Sequence, residues 1–245
     1  MDPLPGSREA RRPMTALAVD NVWKYYGDFP ALRGISFGAP RGACVALLGR
    51  NGAGKTTLLR ILAGLSRPTR GSVRVLGLDS LSPDVRRATG VLGHGIGIYD
   101  ELSAYENLRL FAALYGLDRP HQAALEWLER TGLERVRDGL VREFSRGMRQ
   151  RLAVARAFLH RPSLLLLDEP FTALDDRAIA LLQGLLRESL ASGATIVMST
   201  HQLREALELA SHVALIVRGR LVHSGEKTAE MLDDPGFLYR TYGDS

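Results

Sequence analysis

The sequence predicts an α/β fold whose core is interrupted by a helical insert. Short apolar runs, typical of strands buried in a parallel sheet, alternate with segments of helical periodicity. Hydrophobic residues make up 45% of the 245 residues, which is enough to form a sizeable core. Residues 103–160 contain helical patterns and no convincing strand, so they divide the core into a part before about residue 98 and a part after about residue 160.

The predicted core elements follow one another as strands and helices. The runs ACVALLG and SLLLLDEP are continuous and apolar, which indicates burial on both faces, whereas GSVRVLG alternates with period two and is predicted to be half exposed. A leucine-rich helix after the second of these runs ends near Gly193. The predicted strands are 43–49, 71–77, 163–170, 194–200 and 213–219, and the other predicted helices are 56–65 and 203–210.

Three helices are predicted within the insert. The tetrapeptide SAYE (103–106) is a capping box, and apolar residues follow it at helical spacing as far as Tyr115. The segments PHQAALEWLERTGL (120–133) and GMRQRLAVARAFL (147–159) predict the second and third helices.

Composition excludes several classes of protein. The formal net charge is +5, but the basic residues are scattered, which favours a solvated surface over a nucleic-acid site. No apolar run approaches the roughly 18 residues that would predict a membrane span. Cys44 is the only cysteine, so an internal disulfide is excluded and a buried thiol in a cytosolic protein is expected. Residues 1–15 have no apolar signal segment and are predicted to form a flexible tail.

A glycine-rich segment lies between the first buried strand and the helix that follows it. Two glycines, a lysine and a hydroxyl residue in this context predict a phosphate loop, and the alternative is a turn that binds nothing. Glycine lets backbone N–H groups wrap a polyphosphate, which the helix N-terminus also attracts. Lys55 is expected to reach the β- and γ-phosphates, and Thr56 to bind Mg²⁺. The residues predicted to bind the nucleotide here, which we name the phosphate loop, are Gly49, Arg50, Asn51, Gly52, Ala53, Gly54, Lys55, Thr56 and Thr57.

Two carboxylates follow the buried run LLLL. Asp168 is expected to hold Mg²⁺, directly or through water, and Glu169 to polarise the attacking water as general base. The alternative is an acidic pair that stabilises the start of the next helix. The phosphate loop favours the catalytic interpretation, because a phosphate loop needs a metal-holding acid and a group that activates water.

Together these motifs resemble those of the ATP-binding subunits of ABC transporters, and the resemblance extends over residues 16–225. The segment YYGDFPALRGISF resembles the part of that family in which an aromatic side chain stacks on adenine, and Tyr26 matches that position. The alternative for Tyr26 is a tyrosine of the core or of a strand edge. The loop ALDD (173–176) resembles the family segment in which Asp175 would contact a partner subunit.

The segment FSRGMRQR (144–151) resembles the ABC signature, usually written LSGGQ. The resemblance implies that Ser145 and Gly147 bind the γ-phosphate of ATP held by the opposite subunit, at a helix N-terminus. By itself a serine before a helix is most often a simple N-cap. The residues that depart from the signature are Phe144, Arg146 and Met148.

Two histidines occupy further family positions. His201, in MSTHQ, resembles the switch histidine, which implies contact with the γ-phosphate and with Glu169 and a part in catalysis. The family usually has a glutamine where this chain has His94, which is therefore a candidate Mg²⁺ ligand. Either the coupling loop works differently in this chain, or the assignment of His94 to that position is wrong.

The resemblance also implies architecture, cofactors and partners. It implies a RecA-like phosphate-loop core with an N-terminal antiparallel β part, forming one ATP-binding domain over residues 16–240 with the helical subdomain inserted at about 99–157. The implied ligands are ATP and Mg²⁺, and the implied reaction is ATP hydrolysis by a homodimer or heterodimer. The implied partners are integral membrane subunits at the cytoplasmic face of the cell membrane, docked near Ile96, Ile98 and Tyr99, and no nucleic acid is expected.

The subgroup and the cargo leave alternatives open. The segments around His94, 144–151 and 164–175 are similar to the ATPase of the heme exporter of cytochrome c maturation. Exporters of lipid, drug or polysaccharide are alternatives, as is a non-transport ABC ATPase that acts on nucleic acid or ribosomes. The last of these is disfavoured because the chain has one phosphate loop and no sustained heptad pattern.

Overall fold

The computed structural model describes residues 15–93, 97–172, 174–234 and 236–242, so the first 14 residues, His94 and Ile96 lie outside the described part. The strands are β1 (Thr15–Tyr26), β2 (Phe29–Pro40), β3 (Cys44–Leu48), β4 (Arg70–Val75), β5 (Leu78–Asp79), β6 (Thr89–Leu92), β7 (Leu164–Asp168), β8 (Thr195–Ser199), β9 (His212–Val217) and β10 (Arg220–Glu226). The α-helices are α1 (Lys55–Leu62), α2 (Pro83–Arg87), α3 (Ala104–Leu114), α4 (Pro120–Arg130), α5 (Arg146–Phe158), α6 (Asp176–Ala191), α7 (Leu203–Leu209), α8 (Ala229–Asp233) and α9 (Phe237–Tyr242).

The larger sheet positions the candidate site. Its strand order is β10-β9-β3-β8-β7-β6, and all neighbours are parallel except β10 and β9. Alternate residues of β3 enter different core clusters: Ala46 and Leu48 pack with the helical insert, whereas Val45 and Leu47 pack with β1, β2 and α1. Burial on both faces explains why this strand reads as a continuous apolar run. The loops after β3, β7 and β8 meet at the carboxyl edge of the sheet, where α/β proteins bind ligands.

The smaller sheet is antiparallel, with the order β2-β1-β4-β5, which confirms the predicted N-terminal β part. The strand predicted over 71–77 was expected in the strand–helix alternation of the core, and this expectation is wrong. It corresponds to β4, which pairs with β1. The period-two pattern fits this placement, because Val73 and Val75 are buried while Arg74 faces solvent, as in an antiparallel sheet with one wet face.

The helical insert contains α3, α4 and α5, as predicted. The capping box is confirmed: Glu106 donates its backbone N–H to the Ser103 hydroxyl at 3.2 Å, and the Ser103 backbone N–H donates to the Glu106 carboxylate at 2.8 Å. Among the described residues, none of the helices has the length and apolarity needed to cross a bilayer.

Several elements were not predicted, or begin and end elsewhere. β1 begins at Thr15, inside the predicted tail, and α1 ends before Gly64, which has φ 68° and cannot continue the helix. β6 and β10 were not predicted, since a four-residue strand and a mostly half-exposed edge strand give weak patterns. No pattern was found in the segment that forms α8 and α9 either.

Candidate active site

The phosphate loop begins where the buried strand β3 ends, and α1 begins at Lys55. Gly49 has φ 152°, and a Cβ there would lie 2.5 Å from the Ile216 carbonyl oxygen. Gly54 has φ 111°, and a Cβ there would lie 2.7 Å from the Ala31 carbonyl oxygen. Both positions therefore require glycine for the packing of the loop against its neighbours, in addition to the reason predicted from the sequence.

Lys55 is held inside the phosphate loop, with only 6% of its surface exposed. Its ammonium donates to the carbonyl oxygen of Gly49 at 2.7 Å and to that of Arg50 at 3.4 Å. The same ammonium lies 3.7 Å from a carboxylate oxygen of Glu169. Lys55 thus connects the loop to Glu169, the predicted general base.

Asp168 ends β7 and accepts hydrogen bonds from two hydroxyl groups. Thr56 donates to one carboxylate oxygen at 2.7 Å, and Ser199 donates to the other at 2.5 Å. Ser199 stands opposite Asp168 in the β7–β8 register. Sequence reasoning did not find Ser199, because no pattern in the chain shows which two strands are neighbours in the sheet.

Glu169 and His201 lie side by side beyond the ends of β7 and β8. One Glu169 carboxylate oxygen accepts the backbone N–H of His201 at 3.2 Å and lies 2.8 Å from the imidazole Nδ1. Glu169 has φ 52°, a conformation that a non-glycine residue adopts at a cost of about 1–3 kcal/mol. The Ser199 carbonyl oxygen accepts the Glu169 N–H at 3.0 Å and helps to hold this conformation. The carboxylate is therefore fixed beside the histidine, as the resemblance implied.

An open cleft runs across the phosphate loop to two exposed aromatic side chains. Tyr26 is 50% exposed and Phe29, its partner across the β1–β2 turn, is 62% exposed. Sequence reasoning selected Tyr26 and missed Phe29, although both flank the same Gly-Asp turn. The described residues that line the cleft are Tyr26, Phe29, Ala31, Asn51, Gly52, Ala53, Gly54, Lys55, Thr56, Thr57, Asp168 and Glu169.

The signature residues lie elsewhere on the chain's surface. The Ser145 hydroxyl caps α5 by accepting the Met148 N–H at 3.3 Å, and Gly147 is in the first turn of that helix. Neither residue is among those described that line the cleft. Beyond its neighbours and its own helix backbone, a Cβ at Gly147 would meet no atom of the described residues within 4 Å, so their packing does not require a glycine there.

The other positions named from the sequence lie outside the cleft, at its edge or outside the described residues. Asp175 caps α6 by accepting the Ala178 N–H at 2.8 Å. Tyr99 is exposed and stacks on Phe111 of α3, whereas Ile98 packs partly buried against the insert core. Arg50 lies in the loop before α1 and is exposed. His94 lies outside the described residues, as does Ile96.

Tyr239 of α9 touches the phosphate loop from the far end of the chain. Its hydroxyl oxygen accepts the Gly49 N–H at 2.9 Å. Burial raises the pKa of the Tyr239 hydroxyl more than the Gly49 hydrogen bond lowers it, and the nearby Glu169 carboxylate also raises it, so the group keeps its proton at neutral pH. No signal in the sequence predicted a contact between positions 190 residues apart.

Comparison with known proteins gives a consistent result. A family model described as "ABC transporter" matches residues 32–172. The chain is 40% identical to the Nod factor export ATP-binding protein I of Cupriavidus metallidurans, over 90% of this chain and 74% of that protein. It is 39% identical to the daunorubicin resistance ATP-binding protein DrrA3 of Streptomyces coeruleorubidus, over 86% of this chain and 68% of that protein. The structure matches the ATP-binding cassette MJ0796, a dimer in a post-hydrolysis state bound to ADP and Pi, with TM-score 0.78, 27% identity and coverage of 86% and 98%.

Proposed function

The chain belongs to the ABC transporter family as an ATP-binding, ATP-hydrolysing subunit, and from this premise we propose that it powers export by separate membrane subunits. The observation on which the proposal depends is the convergence at one sheet edge of Lys55, the Thr56–Asp168 pair and the Glu169–His201 pair. A phosphate-binding cation, oxygen ligands for a metal and a carboxylate beside a histidine are the groups that phosphoryl transfer to water requires.

The first step is nucleotide binding by the phosphate loop. The Lys55 ammonium is held by loop carbonyl oxygens and by Glu169, and we propose that it turns to the β- and γ-phosphates when ATP enters. The N-terminus of α1 faces the same phosphates and favours their negative charge. Tyr26 stacks on the adenine ring at the open end of the cleft.

The Thr56 hydroxyl and the Asp168 carboxylate fit a Mg²⁺ site, because Mg²⁺ takes oxygen ligands and needs only one or two from protein when phosphates and waters complete its shell. Bound Mg²⁺ supplies charge neutralisation at the β- and γ-phosphates. Ser199 keeps the Asp168 carboxylate oriented from the other side. His94 lies outside the described residues, and its role as a further Mg²⁺ ligand stays a proposal based on the family resemblance.

Glu169 is the proposed general base. Its carboxylate accepts a proton from the attacking water while His201 fixes the orientation of that carboxylate and contacts the γ-phosphate. The left-handed backbone at Glu169 supports this role, because strained conformations persist where function requires a side chain to be aimed.

A second cassette is proposed to complete the site. Ser145 and Gly147 stand at the N-terminus of α5, away from this chain's own cleft, so they are available to ATP held by a partner. The open space at Gly147 supports close approach of an outside phosphate group. The partner is either a second copy of this chain or a related subunit.

The adenine-stacking role of Tyr26 predicts a defined kinetic effect. Tyr26→Ala should raise the KM for ATP by about tenfold, because stacking of one base on an aromatic side chain contributes about 1–3 kcal/mol. Tyr26→Trp should keep the wild-type KM. The matched control is Tyr25→Ala, whose ring stacks on Trp23 and does not line the cleft. A steady-state titration of phosphate release checks this, and an unchanged KM in Tyr26→Ala would remove Tyr26 from the site.

The proposed activity is export of an organic compound of the kind handled by Nod factor export or drug resistance proteins. The names of the two relatives support this class, since one is a Nod factor export protein and the other a daunorubicin resistance protein. Heme export, the finer expectation from the sequence, ranks second because neither of these relatives is named for it. Placement at the cytoplasmic face of the membrane follows from the proposal, since ATP is cytosolic.

Affinity capture of the full chain from detergent-solubilised membranes tests the transport role. We expect polytopic membrane proteins to copurify, and Tyr99→Arg to reduce that capture because Tyr99 is an exposed aromatic on the insert. Leu232→Arg is the matched control, since Leu232 is similarly exposed on α8 at the C-terminal end of the chain. Capture of ribosomes or DNA in place of membrane proteins would favour the non-transport alternative.

A further inference from the structure

The C-terminal segment is docked on the catalytic core. α8 packs against α7, and Met231 and Leu238 are buried in the core cluster that also contains β3 residues. Leu238 is 1% exposed, so the helix that carries Tyr239 has a fixed position. The Tyr239 hydroxyl therefore reaches the phosphate loop from a support that is independent of the loop itself.

Both polar backbone groups of Gly49 are engaged. Its N–H donates to Tyr239 at 2.9 Å, and its carbonyl oxygen accepts the Lys55 ammonium at 2.7 Å. Gly49 has φ 152°, a conformation open mainly to glycine, so the chain by itself restrains it weakly. The two hydrogen bonds connect the C-terminal segment, through one residue, to the cation that binds phosphate.

We propose that Tyr239 is a positioning residue of the phosphate loop, whose hydroxyl fixes Gly49 and thereby sets the nucleotide affinity of the site. The claim that Tyr239 sets nucleotide affinity rests on the proposed function. The claim that it fixes Gly49 rests on the observed Tyr239–Gly49 hydrogen bond. Loss of the hydroxyl leaves the Gly49 amide without its partner and lets the loop sample other conformations. Nucleotide must then reorder the loop on binding, which weakens affinity.

The Tyr239 hydroxyl also lies near the proposed general base. Its oxygen accepts the Gly49 N–H, and the Glu169 carboxylate is near enough for its charge to raise the pKa of the hydroxyl. Displacement of the C-terminal segment would therefore change both the loop and the surroundings of the general base. This arrangement makes the segment a route by which contacts outside the cleft can change nucleotide binding.

The test compares Tyr239→Phe with wild type in the full chain. Phenylalanine keeps the ring and its packing, so only the hydroxyl is lost. We expect the Kd for MgADP, measured by calorimetry, to rise about three- to tenfold, the effect of one hydrogen bond. The KM for ATP should rise more than kcat falls. Thr241→Val is the matched control, because it removes a hydroxyl of the same helix whose one hydrogen bond, among the described residues, is to the Phe237 carbonyl oxygen.

Hydrogen–deuterium exchange without nucleotide gives an independent readout. Tyr239→Phe should speed exchange in the peptide that contains Gly49, and Thr241→Val should leave it at the wild-type rate. If wild type binds MgADP, the proposal would be overturned by a Tyr239→Phe variant with the wild-type exchange rate at Gly49 or with the wild-type Kd for MgADP. A wild type that binds no nucleotide would contradict the proposed function and the affinity part of this proposal, while faster exchange would still support the contact.

Discussion

Glu169→Gln should abolish ATP turnover while leaving ATP binding intact. Glutamine keeps the shape of the side chain and can still accept the His201 N–H, but it cannot take a proton from water. A general base contributes about 10²–10⁴-fold to rate, so phosphate release should fall by that factor. ATP affinity should be retained or increase, because the variant removes the Glu169 charge that holds Lys55 at 3.7 Å.

The same variant should accumulate as an ATP-bound dimer, visible by size-exclusion chromatography with MgATP. Glu208→Gln is the matched control, since it makes the same chemical change at an exposed position of α7 and should behave as wild type. Turnover close to wild type in Glu169→Gln would remove Glu169 from the role of base. Loss of ATP binding together with turnover would instead indicate that Glu169 acts through the phosphate loop.

The sequence predicted those parts of the site that are contiguous along the chain. Glycines, lysine and threonine between a buried strand and a helix indicate a phosphate loop, and the carboxylates at 168 and 169 follow directly from the apolar run of β7. In such segments the sequence pattern is enough to predict the chemistry, because a single strand end and the helix that follows it position all of these side chains.

The sequence could not predict contacts that depend on which elements become neighbours. Ser199 reaches Asp168 because β8 lies beside β7, and Tyr239 reaches Gly49 because α9 docks near β3. Both are single polar residues without a periodic signal. The predicted placement of β4 in the core was wrong for the same reason. Its alternating pattern predicted that one face is exposed to solvent, but it did not indicate which sheet the strand joins.

Phe29 is an intermediate case. It is adjacent in sequence to a segment that was identified correctly, yet its position in the cleft depends on the β1–β2 turn that brings it opposite Tyr26. An exposed phenylalanine beside an exposed tyrosine forms an apolar surface at the open end of the cleft, where a planar base can stack. The aromatic surface therefore becomes recognisable only when β1 is paired with β2, and neither residue indicates it on its own in the sequence.

Gly147→Glu should abolish turnover by blocking the contact between two cassettes. A carboxylate at the start of α5 would repel the γ-phosphate that we propose to bind there, and removal of such a transition-state contact lowers rates by about 10²–10³-fold. Each chain should still bind ATP in its own cleft, because Gly147 does not line that cleft. The variant should therefore bind ATP with near wild-type affinity and remain monomeric in MgATP.

Gly184→Glu is the matched control, since Gly184 is also a helical glycine whose added Cβ would have open space around it in the described part of the chain, its own helix backbone aside. It should dimerise and hydrolyse ATP as wild type does. The specific activity of wild type should in turn rise with protein concentration over the range in which the dimer forms. Full activity of an isolated monomer, or of Gly147→Glu, would mean that one cleft completes the reaction alone and that the signature segment has another purpose.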